Sequence, residues 1–385
     1  MSGFTMAWLT FLQTIAHDSR WFILNLIGIG RLRWKTFDKK ATHLYLIVTL
    51  SVFNHGRYGF QLLNYFSLAG YRIVFYQSLG FLFRLRRYDR GVLSLPGAIL
   101  WRESMASIGQ SFPWMRLATE TKVLPTFPVS LQFLVDLNFF GQMKHPSRCF
   151  YLPYFVHPLL GPTFSQSAIK DQKRNRRRIF MYGEPNLPSD KGMVHDFFGL
   201  IDRSSIFEML HTSDIAAYEP TSFEDLLHWL GQEEATAMLC LLDSRKVWIP
   251  IERWIEVLSS FDFFIATPGY CMPHAHNLIE ALGVGTIPML QYHNQLRPAL
   301  LPNVHCIVFS DPGSMLSAVR QALQFSVEQV TKMRESVLDY YSQFVDPAAV
   351  VPRIFKEAAI EKQLRLYFNA EEMSLPYLEA GLLTQ

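Results

Sequence analysis

Apolar residues in this chain come in short blocks separated by polar stretches rich in glycine and proline. The blocks alternate between a strand-like and a helix-like period. Residues 42–53 (THLYLIVTLSVF) form a β-branched apolar run that suits a strand buried on both faces. A polar turn follows through Asn54, His55, Gly56, Arg57, Tyr58 and Gly59. Residues 61–68 then read as a helix, which Gly70 stops as a C′ glycine. Residues 72–77 (RIVFYQ) predict a second strand, so the chain opens with a βαβ unit. Weaker strands are expected near 131–137 and 148–153, in Pro-rich, loop-like sequence.

A polar and strongly basic stretch over 165–178 marks a domain boundary. Beyond it, strands are predicted at 179–182, 236–242, 261–267, 286–290 and 305–309, with helices at 193–211, 222–230, 251–259 and 273–282 between them. Three further helices are expected at 315–325, 327–344 and 352–368. The fold class is therefore α/β, with two Rossmann-like doubly wound domains. The expected divisions are an interfacial segment over 1–40, a first domain over 41–165, a second over 166–345, and a helical tail over 346–385 that packs back on the first.

Composition agrees with large buried cores: 49% of residues are hydrophobic and 18% charged, too apolar for a disordered chain. The net charge of +3 gives no global affinity for polyanions, and no nucleic-acid partner is expected. The cations cluster, however, at Arg31, Arg33, Lys35, Lys39 and Lys40, at Arg84, Arg86, Arg87 and Arg90, and at Lys170, Lys173, Arg174 and Arg176–Arg178. Solvated loops or contacts with phosphates or anionic headgroups both account for them. Trp21–Gly30 is apolar but too short to span a bilayer, and a basic edge follows it. With Met6–Ile15 it reads as amphipathic or interfacial, packing either on the protein's own core or at a membrane surface. Cys149, Cys240, Cys271 and Cys306 form no C-x-x-C pair, which points to a reducing compartment; with the interfacial segments, the expected location is cytoplasmic, at a membrane-associated face.

Candidate chemistry concentrates in 261–290 (FDFFIATPGYCMPHAHNLIEALGVGTIPML). A strand ending at Thr267 leads through a Pro-Gly turn into a helix expected to start near Pro273. Helix N-termini present N–H groups and partial positive charge, which suits a diphosphate. His274, His276 and Asn277 lie in or near that first turn and can donate to phosphate oxygens. Glu280, four residues after His276, shares its face and can accept from both hydroxyls of a ribose.

This strand, loop, helix and G-x-G-T-I-P pattern resembles the donor-binding motif of GT-B glycosyltransferases, and most of all the exostosin-like family, over roughly residues 250–310. The resemblance implies two domains facing a cleft, with the second binding a nucleotide-diphosphate sugar, most often a UDP-sugar. Tyr270, His274, His276, Asn277 and Glu280 would bind the donor, with Gly183 and Arg178 beside them. The first domain would take the acceptor, a cell-surface glycan or lipid-linked molecule. Retaining relatives carry a second Glu eight residues before the ribose-binding one, where Met272 stands here. An inverting transfer is therefore expected, and it needs a general base. His55, Asp136 and Glu184 are the candidates carried forward, ahead of Glu103. Lys246 or Arg176–Arg178 could neutralise the diphosphate.

No D-x-D pair, zinc-spaced histidine pair, G-x-G-x-x-G loop in a βαβ context, P-loop or G-x-S-x-G elbow occurs. The expectation is a metal-independent transferase with the nucleotide-sugar as substrate and no cofactor. Two other readings stay open: a sugar-nucleotide epimerase on the same fold, and a non-catalytic glycan- or nucleotide-binding subunit.

Overall fold

A computed structural model of the chain describes residues 23–24, 26–28, 44–49, 57–76, 87–95, 98–100, 112–118, 130–140, 149–160, 164, 179–185, 190–232, 239–371, 374 and 376. The chain divides into two compact units. The first comprises Met1–Leu152 and Val351–Ala370, and the second Pro153–Val350 and Glu371–Gln385.

The first unit is built on β1 (Tyr45–Thr49), β2 (Arg72–Tyr76), β3 (Ile99–Leu100), β4 (Trp114–Leu117), β5 (Gln132–Asp136), β6 (Cys149–Tyr151) and the last strand, β13 (Gln363–Tyr367). They form one sheet in the order β3-β2-β1-β4-β5-β13-β6, and every pairing is parallel. All five β1 residues are buried, as a strand covered on both faces requires. The crossover from β1 to β2 is α1 (Arg57–Leu68), which ends before Gly70, where φ is +91°. Tyr45, Ile47, Val74 and Trp114 form one core cluster, with Tyr76 and Phe112 packed on it.

The end of the chain departs from the expected helix over 352–368. The helix α9 (Pro347–Glu361) stops at Lys362, whose φ of 56° turns the backbone out of helical geometry. Residues 363–367 then alternate as a strand and slot between β5 and β6, with Leu364 opposite Phe133 and Leu366 opposite Val135. A run of QLRLY carries the period-2 pattern that a short helix tail masks. Phe355 of α9 seats the returning segment, stacked on Tyr71 at 4.4 Å and edge-on to Phe133 at 4.9 Å.

The second unit carries β7 (Ile179–Gly183), β8 (Ala217–Tyr218), β9 (Leu239–Asp243), β10 (Phe263–Ile265), β11 (Ile287–Leu290) and β12 (Ile307–Val308). Their order is β12-β11-β10-β7-β9-β8, again parallel throughout. The helices are α2 (Asp190–Phe198), α3 (Arg203–His211), α4 (Phe223–Gly231), α5 (Ile251–Ser259), α6 (His276–Gly283), α7 (Pro312–Gln324) and α8 (Val327–Phe344). The α/β class with two parallel sheets is thus as expected.

Two boundaries differ in ways that shape the site. The helix expected over 193–211 is broken at Gly199, whose φ is +65°, and Asp202 caps a new helix by accepting from Ser205 N at 3.0 Å. The helix expected from Pro273 starts instead at His276, so Pro273 belongs to the preceding loop. Among the described residues, no helix is long and apolar enough to cross a membrane.

Leu366 lies fully buried in the middle of β13. Leu366→Ala should lower unfolding free energy by about 2–5 kcal/mol, read as a lower urea midpoint. Gln363→Ala, on the exposed end of the same strand, should change it by no more than about 0.5 kcal/mol. Equal effects would mean that β13 is not held by its buried face.

Candidate functional site

In a parallel sheet the loops that bind ligands gather outside the carboxyl ends of the strands. In the second unit these ends are Gly183, Asp243, the segment following Ile265, and Gln291 with Tyr292 after β11. The segment after β10 folds tightly on itself. Gly269 N donates to Pro273 O at 3.3 Å, and a Cβ at Gly269 would meet His274 O at 2.7 Å and Met272 O at 2.8 Å. Only glycine fits there. Met272 itself is fully buried, so the position where a retaining enzyme would carry its Glu is occupied by core packing.

Arg203 ties this loop to the neighbouring strand. It opens α3, and its Nε donates to Thr267 Oγ1 at 3.0 Å and its Nη2 to Pro268 O at 3.3 Å. Its side chain lies against Gly183, where a Cβ would sit 3.1 Å from Arg203 Cδ. Tyr292 donates to Thr267 O at 3.4 Å, and Gln291 Oε1 accepts from Ile201 N at 2.9 Å. Four chain segments are therefore locked at one edge, with a permanent cation among them.

Ala275 caps α6 with no side-chain hydrogen bond, so no side chain neutralises the positive end of the helix dipole at the loop. Asn277, half-buried in the first turn, has an Oδ1 with no hydrogen-bond partner among the described residues. Tyr270 is half-buried in the loop. His276 Nδ1 donates to Phe155 O at 2.8 Å, which fixes its proton on Nδ1 when the ring is neutral. His274 is enclosed, and burial, reinforced by Arg297, pulls its pKa down to about 4 against a hydrogen bond that the ring donates to the Gln295 backbone. It is a neutral ring at pH 7 and brings no charge to a phosphate.

Glu280 shares a face with His276, as expected, but that face is turned to residues 153–160. Its Oε1 accepts from His157 N at 2.7 Å and its Oε2 from Trp254 Nε1 at 2.6 Å. The residue is 2% exposed. Burial pushes its pKa up to about 7, although the His157 and Trp254 hydrogen bonds pull the other way. A ribose could reach this carboxylate only if the enclosing residues moved, since Glu280 is buried.

The remaining candidates divide. Glu184 follows β7 directly, half-buried, and its charge acts on Arg245. Asp136 ends β5 in the first unit, where it pairs with Arg365 and accepts from Asn138 N at 2.9 Å. Its carboxylate is held in structural contacts. His55, Glu103 and Arg176–Arg178, including Arg178, lie outside the described residues. Among the described residues, no group of three or more His, Cys, Asp or Glu is placed to hold a metal ion.

Sequence reasoning missed Arg203 and Trp248. Arg203 had one usable signal: a cation immediately after a capping Asp202, past a helix-breaking glycine. Trp248 is 70% exposed in the loop after β9. The loop is rigid because buried Asp243 accepts from Arg245 N at 2.9 Å and Arg245 Nη2 at 2.7 Å, and Asp243 O accepts from Lys246 N and Val247 N, each at 3.0 Å. The Arg245 guanidinium holds the Asp243 carboxyl below its ordinary range. A large aromatic face and Lys246 are thus presented near the carboxyl edge.

No family model matches the chain, and no curated protein matches it in sequence. Among solved structures it is similar to a glycosyltransferase from Rickettsia africae ESF-5 (9% identity, 84% of this chain and 99% of that chain covered, TM-score 0.33). It is similar at the same level to trehalose-6-phosphate from E. coli bound with UDP-2-fluoro glucose (12%, 78% and 77%, 0.33). A third similar structure is CalG4, the calicheamicin glycosyltransferase (11%, 82% and 98%, 0.31).

The enclosed Glu280 has a pH signature. Its folded pKa, about 7, lies above its ordinary value of 4.5, so its contribution to stability is complete below 4.5 and is lost as pH rises through about 7. His274 acts with the opposite sign: its contribution is present above 6.5 and lost as pH falls through about 4. Glu280→Ala should therefore flatten the decline in urea midpoint between pH 4.5 and 7 relative to the unmodified protein. The variant should also cost about 1–3 kcal/mol at low pH, because the donors of Trp254 and His157 lose their acceptor. Parallel pH profiles for the two proteins would place the Glu280 carboxyl in water.

Proposed function

We propose that this chain is a glycosyltransferase of the exostosin-like, GT-B kind. In this reading it takes a nucleotide-diphosphate sugar, with a UDP-sugar as the probe donor, and passes the sugar to a cell-surface glycan or lipid-linked acceptor with inversion and without a metal. The observation that carries the reading is Arg203 bonded to Thr267 and Pro268, in the loop that runs from the carboxyl end of β10 into the N-terminus of α6, which has no side-chain cap. A diphosphate leaving group needs positive charge and oriented N–H dipoles that are already in place. The loop over 266–275 is braced for that purpose, and Asn277 Oδ1 offers an acceptor for a sugar hydroxyl or a base N–H.

The chemistry is a direct displacement. The acceptor oxygen forms a bond to the anomeric carbon as the bond to the diphosphate oxygen breaks. The hydroxyl proton passes to a base, Glu184 or His55, and the negative charge leaves on the diphosphate, held by Arg203 and the α6 dipole. Glu280 acts in this scheme by fixing α6 against Trp254 and residues 153–160, with Tyr270, His274 and His276 shaping the donor pocket near Gly183. Trp248 supplies a face on which a planar base can stack. Unbonded cysteines, three of them buried, support a reducing compartment such as the cytoplasm.

A second reading, a non-catalytic nucleotide-binding subunit, is favoured by one observation: Asp136 is already paired with Arg365. Binding and turnover separate the two. UDP at a hundred times its dissociation constant should stabilise the protein by about 2.7 kcal/mol in thermal melts. Arg203→Ala should weaken UDP binding by about 1.5–3 kcal/mol, the range for a hydrogen bond to a charged group. Glu184→Gln should leave UDP binding intact and reduce UDP release from UDP-sugars. Binding without any release, in the unmodified protein with glycan acceptors, supports the second reading. No stabilisation by any nucleoside diphosphate removes both.

A further inference from the structure

A cavity of about 360 Å³ opens in the second unit between α7, α8 and the turn that precedes β12. It lies at the amino edge of the sheet, away from the candidate site. Phe325, the residue that ends α7, lines the cavity and packs on Phe263, the first residue of β10, with ring centroids 6.1 Å apart. Arg334 of α8 pairs with Asp262, just before the same strand. The loop carrying Thr267, Pro268 and Gly269 leaves the other end of β10.

The floor of the cavity is apolar, made by Val304, Phe325 and the buried Met333. Its rim is polar, made by Asn303, Gln321, Gln329, Lys332 and Ser336. Asn303 holds a left-handed backbone, with φ of 60°, and its N–H donates to Cys306 O at 2.7 Å. Gln329 Oε1 accepts from Ser326 N at 2.8 Å, which fixes the carboxamide and leaves its Nε2 hydrogens for another partner. Ser336 Oγ donates to Lys332 O at 3.0 Å and can still accept. Among the described residues, the Asn303 and Gln321 side chains make no hydrogen bond and Lys332 makes no ion pair.

These groups select among ligands. One ammonium is too little charge to hold a polyphosphate or a nucleic acid. None of the described lining residues is acidic, so a hard metal ion or a polycation finds no carboxylate. Three apolar side chains are too few to enclose an acyl chain. Three carboxamides suit a sugar, because each presents a donor and an acceptor side by side in one plane, as neighbouring hydroxyls require. The C–H face of a sugar ring packs on an apolar floor such as Phe325 supplies. The volume also falls in the range of small-molecule sites, about 300–1,000 Å³.

We propose that this cavity is a binding site for an uncharged saccharide unit, at the opposite edge of the sheet from the proposed transfer site. It holds a glycan and does not transfer to one, since no carboxylate or imidazole is among its described lining residues to serve as a base. The inference does not depend on sugar transfer: either can fail with the other intact.

The test applies the full chain, without nucleotide, to an array of immobilised oligosaccharides of glucose, galactose, mannose, xylose and N-acetylglucosamine. At least one of these should retain the protein. Gln321→Ala with Lys332→Ala should reduce that retention by about tenfold or more. The thermal midpoint should stay unchanged, because both side chains are exposed. Trp248→Ala, on the exposed aromatic near the carboxyl edge, should leave retention as it is. The proposal is overturned if no saccharide retains the chain, or if the double variant is retained like the unmodified protein. It is also overturned if Trp248→Ala abolishes retention, since the glycan then sits at the carboxyl edge. A dimer in light scattering that the double variant dissociates would overturn it too, because the cavity would then receive a second copy of the chain.

Discussion

Every described strand pairing in this protein is parallel, and both its core and its candidate site depend on that constraint. Parallel strands cannot be joined by tight hairpins, so each connection must cross back along the sheet, usually as a helix. Helices on both faces bury the strands completely, which is why β1, β9 and β11 are apolar at nearly every position. The same constraint sends every strand of the second sheet out at one edge. Polar and strained segments can accumulate there without interrupting the core.

At that edge the second unit spends its polar contacts on rigidity. Arg203 holds Thr267 and Pro268, Tyr292 holds Thr267 from the other side, and Gly269 allows the backbone to close on Met272 and His274. Beneath the loop, Glu280 joins α6 to α5 and to residues 153–160 through one carboxylate with two donors. The loop that leads into α6 is therefore held from several sides. The charged groups at the edge therefore play different parts, since Arg203 faces the loop and Glu280 is committed beneath it.

The return of the chain gives the first unit a part of its core that is remote in sequence. β13 lies between β5 and β6 and bonds to both, so the sheet would have no link between those two strands without it. Phe355 and Tyr71 stack across nearly three hundred residues of intervening chain to hold that return.

The sequence by itself determined the class of this fold and the existence of most of its elements. Apolar blocks such as 42–53 and 236–242 are β-branched or uniformly apolar and bounded by polar turns, which favours strands, and β1 and β9 lie within them. The loop and helix at 265–290 were legible from the Pro-Gly turn, although Pro273 set the expected helix start three residues too early. Tertiary structure decided what local pattern does not encode. QLRLY could continue a helix or form a strand, and the open place between β5 and β6 selects the strand. Glu280 is placed on the correct face by helical period, yet whether that face meets ligand or protein depends on where Trp254 and His157 lie, 26 and 123 residues away. Arg203 reaches Thr267 across 64 residues. Such contacts follow from the three-dimensional path of the chain, which short-range periodicity does not contain.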